Sequence, residues 1–356
     1  MLPTRITMSI AIAALVAGGA VMTAPAQSAS ASASASALAS TPTLAAASTL
    51  ADDANCRTTT GTQDFYPGPS ASETYDSTFH NSVAVPQGLY SGGFIPQGLA
   101  YWNDWDGTSE DVLLISAYHS SGDGASAIWG IALSGPRRGE SLGHMLIPNT
   151  HAGGIVVTGG HVYVSGEGGV KYWSTATVRA ELAGANTNNV IQPKGTQDIA
   201  GKGSFLGLGG GEGTTLWTGD FSDTSHESMW QYSTSSTGAL TYTGKKRWVP
   251  AKTQGMAVVG DKYIFATSFG RHNRSNVWVR PTSYETDITD GTAFCMRAPS
   301  MMEGLAYGNS DGNEHVWALF ESGAEPYVSD PNTLNKITNI HWAGGSELAG
   351  LYGQGD

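Results

Sequence analysis

The chain has 356 residues and a net charge of −12, and only 13% of its residues are charged. An acidic chain repels the phosphate backbone of nucleic acids and anionic membranes, so neither is an expected partner. The chain also carries 47 glycines, 10 tryptophans and 14 tyrosines, a composition that favours short aromatic strands joined by glycine turns over long solvated helices.

The first 26 residues have the pattern of a secretory signal peptide. One arginine precedes an apolar run at residues 6–22, and small residues follow up to a predicted cleavage site after Ala26. Residues 27–52 are almost entirely Ala, Ser and Thr, which offer too little bulky apolar surface to fold, so we expect a disordered leader. No later stretch approaches the roughly 20 apolar residues of a membrane span. Residues 53–356 are therefore expected to form one soluble, extracellular domain.

Five copies of a glycine-centred motif follow, at a spacing of about 50 residues. They are "PQGLAYW" from residue 96, "THAGGIVV" from 150, "SFLGLGG" from 204, "TQGMAVV" from 253 and "MEGLAYG" from 302. A second apolar strand follows each copy, as in "DVLLISAYH" and "KYIFATSFGR". A third strand carries an aromatic residue and is assigned to "AIWGIAL", "GVKYWST", "SMWQYST", "NVWVRPT" and "PYVSD". Fourth strands are fainter and include "ITNIHWAG" near the end of the chain.

Four short strands in each repeat of about 50 residues predict an all-β fold, a β-propeller of five four-stranded blades. Glycine in each inner strand would let five backbones approach one axis. Six or seven blades stay open, because "FHNSVAVPQGLYSGGF" before the first repeat could belong to another blade or supply a strand that closes the ring. A β-sandwich is the alternative fold, but it would not explain a period sustained over five repeats.

The chain contains two cysteines, Cys56 and Cys295. An exported pair in an oxidising compartment usually forms a disulfide, so we predict that these two residues are bonded. The alternative is a pair of buried free thiols, and neither cysteine has the spacing of a metal site.

Four short segments of the chain resemble sequence motifs of secreted Gram-positive, actinobacterial-type β-propeller proteins. The matching segments are Gln97–Ala100 (QGLA), His151–Ile155 (HAGGI), Ser268–Arg271 (SFGR) and Leu319–Ser322 (LFES). The resemblance covers about residues 90 to 330. It implies the propeller fold and export, and it implies no particular activity.

Inner strands of a propeller begin at one mouth of the central channel, and the antiparallel second strands end there, so polar residues at both places should surround one opening. The residues at the starts of the inner strands are Gln97, His151, Gln254 and Glu303. Those at the ends of the second strands include Tyr118, His119, Asp220, Ser268, Arg271 and Glu321. The predicted catalytic residues are His151, Glu303, Tyr118 and Arg271, and the others are predicted to bind the ligand.

A ring of amides, an imidazole and carboxylates can bind a polyhydroxylated ligand and transfer protons. We therefore predict an extracellular carbohydrate-active enzyme whose partner is a polysaccharide or another glycan. Hydrolysis would need two carboxylates, for which Glu303 with Asp220 or Glu321 are the candidates.

Elimination is the second reaction that these polar residues could catalyse. It would use His151 or Tyr118 as the base, while Arg271 neutralises the carboxylate of a uronate. A non-catalytic secreted module that binds a glycan or another exported protein is the alternative to both reactions.

Other kinds of site find less support. The chain has no G-x-S-x-G elbow of a serine hydrolase, and its histidines lack the spacing of a zinc site. The acidic stretch "NDWDGTSED" at 103–111 could hold calcium, although it lacks the spacing of an EF-hand loop. No other cofactor is predicted, and the protein is expected to be a monomer.

Overall fold

The structure, a computed structural model, describes residues 56–166, 169–184, 188–210, 214–289 and 291–354. The predicted signal peptide and the whole predicted leader lie within residues 1–55, which are outside the described residues. The described residues belong to one compact unit that spans 48–356. None of the helices in the described ranges is long and apolar enough to cross a membrane.

The described residues form five four-stranded antiparallel sheets, the blades of a β-propeller. Among the described residues, the first elements are α1 (Glu73–Thr78), β1 (His80–Ala84) and α2 (Gln87–Ser91). Blade 1 consists of β2 (Phe94–Trp102), β3 (Val112–His119), β4 (Ser126–Ala132) and β5 (Ser141–Ile147). Blade 2 consists of β6 (Gly154–Thr158), β7 (His161–Gly166), β8 (Gly169–Ser174) and, after α3 (Thr175–Ala183), β9 (Gly195–Gln197).

The remaining blades repeat this order from the hub outwards. Blade 3 consists of β10 (Phe205–Leu208), β11 (Thr215–Gly219), β12 (Glu227–Thr234) and β13 (Leu240–Val249). Blade 4 consists of β14 (Thr253–Val259), β15 (Lys262–Thr267), β16 (Ser275–Pro281) and β17 (Phe294–Ala298). Blade 5 contains β18 (Met302–Ser310), β19 (Asn313–Phe320) and β20 (Asn339–Gly344), and α4 (Gly345–Gly350) follows.

Blade 5 is closed by the start of the domain. Its fourth strand is β1, which pairs with β20 so that His80 lies opposite Trp342. The five-blade prediction is thus confirmed, and the segment before the first repeat supplies a closing strand rather than a further blade. The assignment of "PYVSD" as a third strand is wrong, because these residues form turns in the loop between β19 and β20. The third strand is β20, within the segment that had been assigned to a fourth.

Glycines allow the five inner strands to meet at the hub. A Cβ atom added to any of them would lie under 3.0 Å from a backbone atom of the next inner strand, too close for a side chain. These contacts run from blade to blade and return to the first; the residues are Gly98, Gly154, Gly207, Gly255 and Gly304. The recurring glycine in the sequence is therefore explained by close approach of backbones around the axis.

Burial changes from the hub to the rim. In blade 1, β3 is buried on both faces over Val112–Ala117, because neighbouring blades cover it, and this accounts for its unbroken apolar run. Leu114 packs in one apolar cluster with Ile155 of blade 2. In blade 3, by contrast, the rim strand β13 is exposed over residues 241–246 and has a polar sequence.

Cys56 and Cys295 form a disulfide between residues 239 positions apart, as predicted. Two backbone hydrogen bonds flank it: the N–H of Arg57 donates to Cys295 O at 2.9 Å, and the N–H of Arg297 donates to Arg57 O at 2.9 Å. The beginning of the domain is thereby fixed to β17 at the rim of blade 4.

Candidate functional site at the hub mouth

The register of the strands gathers the predicted polar residues at one end of the propeller, which we call the hub mouth. In blade 1, Phe94 at the start of the inner strand pairs with His119 at the end of the second strand. In blade 4, Thr253 pairs with Thr267 in the same way, and in blade 5, Met302 pairs with Phe320. In these three blades the start of the inner strand therefore lies beside the end of the second strand, as strand direction predicts.

Two carboxyl groups of blade 5 form the centre of the site. Glu303 lies in β18 with only 2% of its surface exposed, and Glu321 directly follows β19. The amide of Gln97 donates to Oε2 of Glu321 at 2.9 Å, and the amide of Gln254 donates to Oε1 of Glu303 over a longer 3.4 Å. Three different blades thus contribute to one cluster of two acids and two amides.

Both carboxyl groups hold their protons more tightly than usual. Burial raises the pKa of Glu303 well above its ordinary value, and the charge of Glu321 raises it further. Burial also raises the pKa of Glu321 to about 7, although the Gln97 hydrogen bond and the charge of Arg271 act in the opposite direction. Near neutral pH the pair therefore keeps at least one proton while its second site can ionise.

Two tyrosines lie beside the carboxyl pair. Tyr118 is hydrogen-bonded to Tyr327, and burial, this hydrogen bond and the charge of Glu321 all raise the pKa of Tyr118. The ring of Tyr118 also stacks on His151, with ring centroids 4.9 Å apart and an interplanar angle of 23°. His151 is exposed just before β6, so it extends the site towards solvent.

Arg271 is held by residues of the long loop that follows β19. Its Nη1 donates to Oδ2 of Asp330 at 3.0 Å, and its guanidinium lies 4.9 Å from the ring centroid of Tyr327. Its positive charge lowers the pKa of Glu321, so it acts on the carboxyl pair while it is bound to Asp330.

A cavity of about 560 Å³ opens at the hub mouth between blades 2 and 3. Its lining includes His151, Gln254, Lys202, Ser204 and Phe221. The remaining lining residues are glycines, namely Gly153, Gly166, Gly201 and Gly203. The cavity therefore places an imidazole, an amide, an ammonium and an aromatic ring within reach of one small ligand.

Three of the predicted ligand-binding residues have other partners. Asp220 accepts from the N–H groups of Lys202, at 2.5 Å, and Gly203, at 3.3 Å, and so stabilises a turn. Nδ1 of His119 lies 2.8 Å from the hydroxyl of Ser121, and the N–H of the buried Ser268 donates to Lys252 O at 2.9 Å. Among the described residues, none of these three forms a hydrogen bond or ion pair with the carboxyl pair, so Glu321 rather than Asp220 accompanies Glu303.

Sequence reasoning missed Tyr327, Asp330 and Lys202. Tyr327 and Asp330 lie within "PYVSD", whose aromatic residue matches the third-strand pattern, and this match concealed a loop that reaches the site. Lys202 lies in the turn before β10, where nothing but its charge distinguishes it.

The acidic stretch proposed for calcium is engaged with protein groups. Glu110 binds Arg137 and accepts the indole N–H of Trp105 at 2.8 Å, while Asp111 accepts the hydroxyl of Ser310 at 2.7 Å. Within the described ranges, no three His, Cys, Asp or Glu side chains converge as a metal site would require. Calcium binding at 103–111 stays a prediction, and it would need these carboxylates to leave their present partners.

No protein-family model matches the chain, and no curated protein matches it. Solved structures with a similar arrangement include glutaminyl cyclase from Myxococcus xanthus (10% identity, 75% of this chain and 94% of that chain, TM-score 0.44). A second is the GH43_1 enzyme from Xanthomonas citri complexed with xylose (12% identity, 74% of this chain and 90% of that chain, TM-score 0.43). A third is a GH43 β-xylosidase/α-arabinofuranosidase from a compost microbial metagenome in complex with xylotriose (9% identity, 75% of this chain and 94% of that chain, TM-score 0.45). With TM-scores below 0.5, these likenesses carry no conclusion about the chemistry of this chain.

Proposed function

We propose that the protein is an extracellular carbohydrate-active enzyme that hydrolyses glycosidic bonds at the hub mouth. The observation that carries this proposal is the pair of carboxyl groups, Glu303 and Glu321, whose pKa values are both raised. Glycoside hydrolysis needs one carboxylic acid to protonate the leaving oxygen and one carboxylate to act as base or nucleophile. A coupled pair that keeps one proton near neutral pH supplies both forms at once.

The roles follow from the surroundings of each group. Glu303 is the more deeply buried and stays protonated, so it is the candidate acid. Glu321, with its pKa at about 7 and with Gln97 and Arg271 favouring its charge, is the candidate base or nucleophile. His151, Gln254 and the mouth cavity would hold the sugar, because imidazole, amide and aromatic groups suit a ligand rich in hydroxyls.

The present states of Tyr118 and Arg271 favour hydrolysis over elimination. Tyr118 would have to ionise to remove a proton, but its raised pKa opposes this. Arg271, which would neutralise a uronate, already binds the carboxylate of Asp330. Elimination through Tyr118 would require this phenol to ionise and Arg271 to leave Asp330, and elimination through His151 would still require the change at Arg271.

Export and the monomeric state belong to the same proposal. Export is supported by the sequence pattern of the first 26 residues and by the disulfide between Cys56 and Cys295, since such bonds persist in oxidising compartments. A monomer fits a propeller whose ring is closed within one chain.

A non-catalytic glycan-binding module is the second candidate, and one observation favours it. The polar groups of the site largely satisfy one another, with Gln97 on Glu321, Gln254 on Glu303 and Arg271 on Asp330. A binding module would keep its affinity when the carboxyl pair can no longer transfer protons.

The test is a screen of neutral and uronate-containing polysaccharides with residues 53–356, read by new reducing ends and by the absorbance of unsaturated uronates. We expect reducing ends without that absorbance, and loss of at least about 100-fold in rate for Glu303→Gln and Glu321→Gln. Glu347→Gln, which changes an exposed acid on α4, is the matched control. Absorbance from unsaturated products would show elimination, and binding without turnover would show the module.

A further inference from the structure

The tryptophans of the chain differ in how their polar edge is used. Seven of the 10 are buried in the propeller. Of the three half-buried ones, Trp342 donates its indole N–H to the carbonyl of Asn81 at 3.0 Å. The indole N–H groups of Trp230 and Trp248 donate to no group in the part of the chain that the structure describes, and neither is sealed from solvent. Packing of the blades therefore leaves the polar edges of these two rings unused.

Trp230 and Trp248 share one face of blade 3 with Lys246. Trp230 of β12 pairs directly with Lys246 of β13, and Trp248 lies two residues further along β13, on the same face. The Nζ atom of Lys246 lies 5.6 Å from the ring centroid of Trp230 and 6.0 Å from that of Trp248. Both rings attract the ammonium group and hold it between them. We call these three residues the blade 3 strip.

The blade 3 strip adjoins the mouth cavity. Gly201 and Lys202 line that cavity, and a Cβ atom added to Gly201 would lie 2.6 Å from Cζ3 of Trp230. The strip also lies towards the hub-mouth side of its blade, because β12 begins there and β13 ends there, with Ser228 opposite Trp248. The turn at Gly201 and Lys202 therefore connects the lining of the cavity to Trp230 of the strip.

The chemistry of the strip suits a sugar chain better than a protein surface. Sugar rings present C–H faces to an aromatic ring and hydroxyls to an indole N–H or an ammonium group, and all three are present here. A protein partner would need a broad apolar patch. The exposed large hydrophobic residues among those described are Val190, Tyr242 and Phe269, and they lie on separate elements or loops.

We propose that the blade 3 strip is a subsite for a polysaccharide that extends outwards from the hub mouth. The substrate of the proposed enzyme is then a polymer rather than a short oligosaccharide, because Trp248 lies on the outermost strand of blade 3, three strand spacings of about 4.8 Å beyond the inner strand. This inference rests on the proposed function, which places the glycosidic bond to be cleaved at the carboxyl pair. Binding of the polysaccharide at the strip itself requires no cleavage.

The experiment measures retention of the mature chain in native gels that contain xylan, a neutral polymer, or polygalacturonate, an anionic one. We expect about tenfold weaker retention for Trp248→Ala and a smaller loss for Lys246→Ala, as for an aromatic anchor and a neighbouring hydrogen-bond donor. Lys245→Ala is the matched control, because Lys245 is the adjacent exposed residue on the opposite face of β13. Trp248→Tyr keeps a stacking ring and should recover most of the retention.

The outcomes separate the subsite from the enzyme. If Trp248→Ala is retained as strongly as the wild type, or if neither polymer retains the wild type, the subsite is refuted, even if the protein hydrolyses short glycosides. If the wild type is retained through Trp248 but hydrolyses no glycan, the proposed enzyme fails and the subsite stands. Equal loss in Trp248→Ala and Lys245→Ala would show a general weakening of β13 and would also refute the subsite.

Discussion

The amide of Gln97 in the first blade donates to the carboxylate of Glu321 in the last blade at 2.9 Å, across 224 residues of chain. The bond spans the closure of the ring, so it forms only when blades 1 and 5 are both in place. It also favours the charged form of Glu321, whose pKa is otherwise raised by burial. The state of the proposed site thus depends on ring closure.

Removing this hydrogen bond should raise the pKa of Glu321. In Gln97→Leu the carboxylate loses a donor, and hydrogen bonds to charged groups contribute about 1.5–3 kcal/mol, so we expect an upward shift of about one pH unit or more. An NMR titration of ¹³C-labelled glutamate carboxyls measures this directly. Gln254→Leu, which removes only the 3.4 Å contact to Glu303, should leave Glu321 almost unchanged. A pKa of Glu321 that does not move in Gln97→Leu would contradict the role given to Gln97.

The carboxyl pair should make the protein less stable as the pH rises. The folded-state pKa of Glu321 is about 7, against an ordinary 4.5, so the folded protein binds more protons between these values and its free energy of unfolding falls as the pH increases through them. Glu321 alone contributes about 3 kcal/mol to this fall between pH 4.5 and pH 8, and Glu303, whose pKa is also raised, adds to the fall in the wild type. Urea unfolding should show this fall in the wild type and a smaller one in Glu321→Gln. Identical slopes in both proteins would refute the assignment.

His341 should have the opposite effect. It is buried against Phe65 and Phe320, with its Nδ1 2.8 Å from the hydroxyl of Tyr75, and burial lowers its pKa to about 3 from 6.5. The unfolded chain therefore takes up the proton first, and stability falls as the pH drops below 6.5, by about 1.4 kcal/mol per pH unit. Relative to His341→Gln, the wild type should lose about 3 kcal/mol between pH 7 and pH 4.5 in urea unfolding. A constant difference between the two proteins would contradict this prediction.

Breaking the disulfide should lower the free energy of unfolding by about 2–5 kcal/mol, because the bond closes a loop of 239 positions that restricts the unfolded chain. The double variant Cys56→Ser, Cys295→Ser should unfold at lower urea concentration and should not respond to a reducing agent. The wild type should move to the same midpoint when it is reduced. A wild type that is insensitive to reduction would show that the bond contributes little.

Gly304→Ala should destabilise the hub by about 3 kcal/mol or more, because its Cβ would meet the backbone of Gly98 and Leu99 in the first inner strand. Gly350→Ala is the matched control, since a Cβ added at Gly350 meets nothing within 4 Å. Thermal unfolding followed by circular dichroism compares the two. Similar midpoints would mean that the inner strands can separate without cost.

The fold was predictable because close approach at the hub imposes one glycine on every inner strand, which gives the sequence a period. The fifth repeat was partly misassigned for a physical reason. Its second and third strands are separated by the long loop 321–338, and Tyr327 in that loop imitates the aromatic residue of a third strand. Pairing with β19 on one side and with β1 on the other identifies β20 as the third strand.

The site was predictable in part. Glu303 and Glu321 follow from strand direction, since one starts an inner strand and the other ends a second strand of the same blade. That Asp220 accepts two turn N–H groups could not be predicted, because the turn at 201–203 has no recognisable pattern. The presence of Tyr327 and Asp330 at the site could not be predicted, because a loop has no sequence periodicity that would place it over the hub mouth.

Blade 5 is assembled from both ends of the domain, and this affects biosynthesis. A ribosome delivers His80–Ala84 long before Asn339–Gly344, so β1 has no strand partner until β20 has been synthesised. A circular permutant opened between blades 2 and 3 would make every strand of blade 5 local in the chain. It should therefore close its ring faster than the natural order of segments allows.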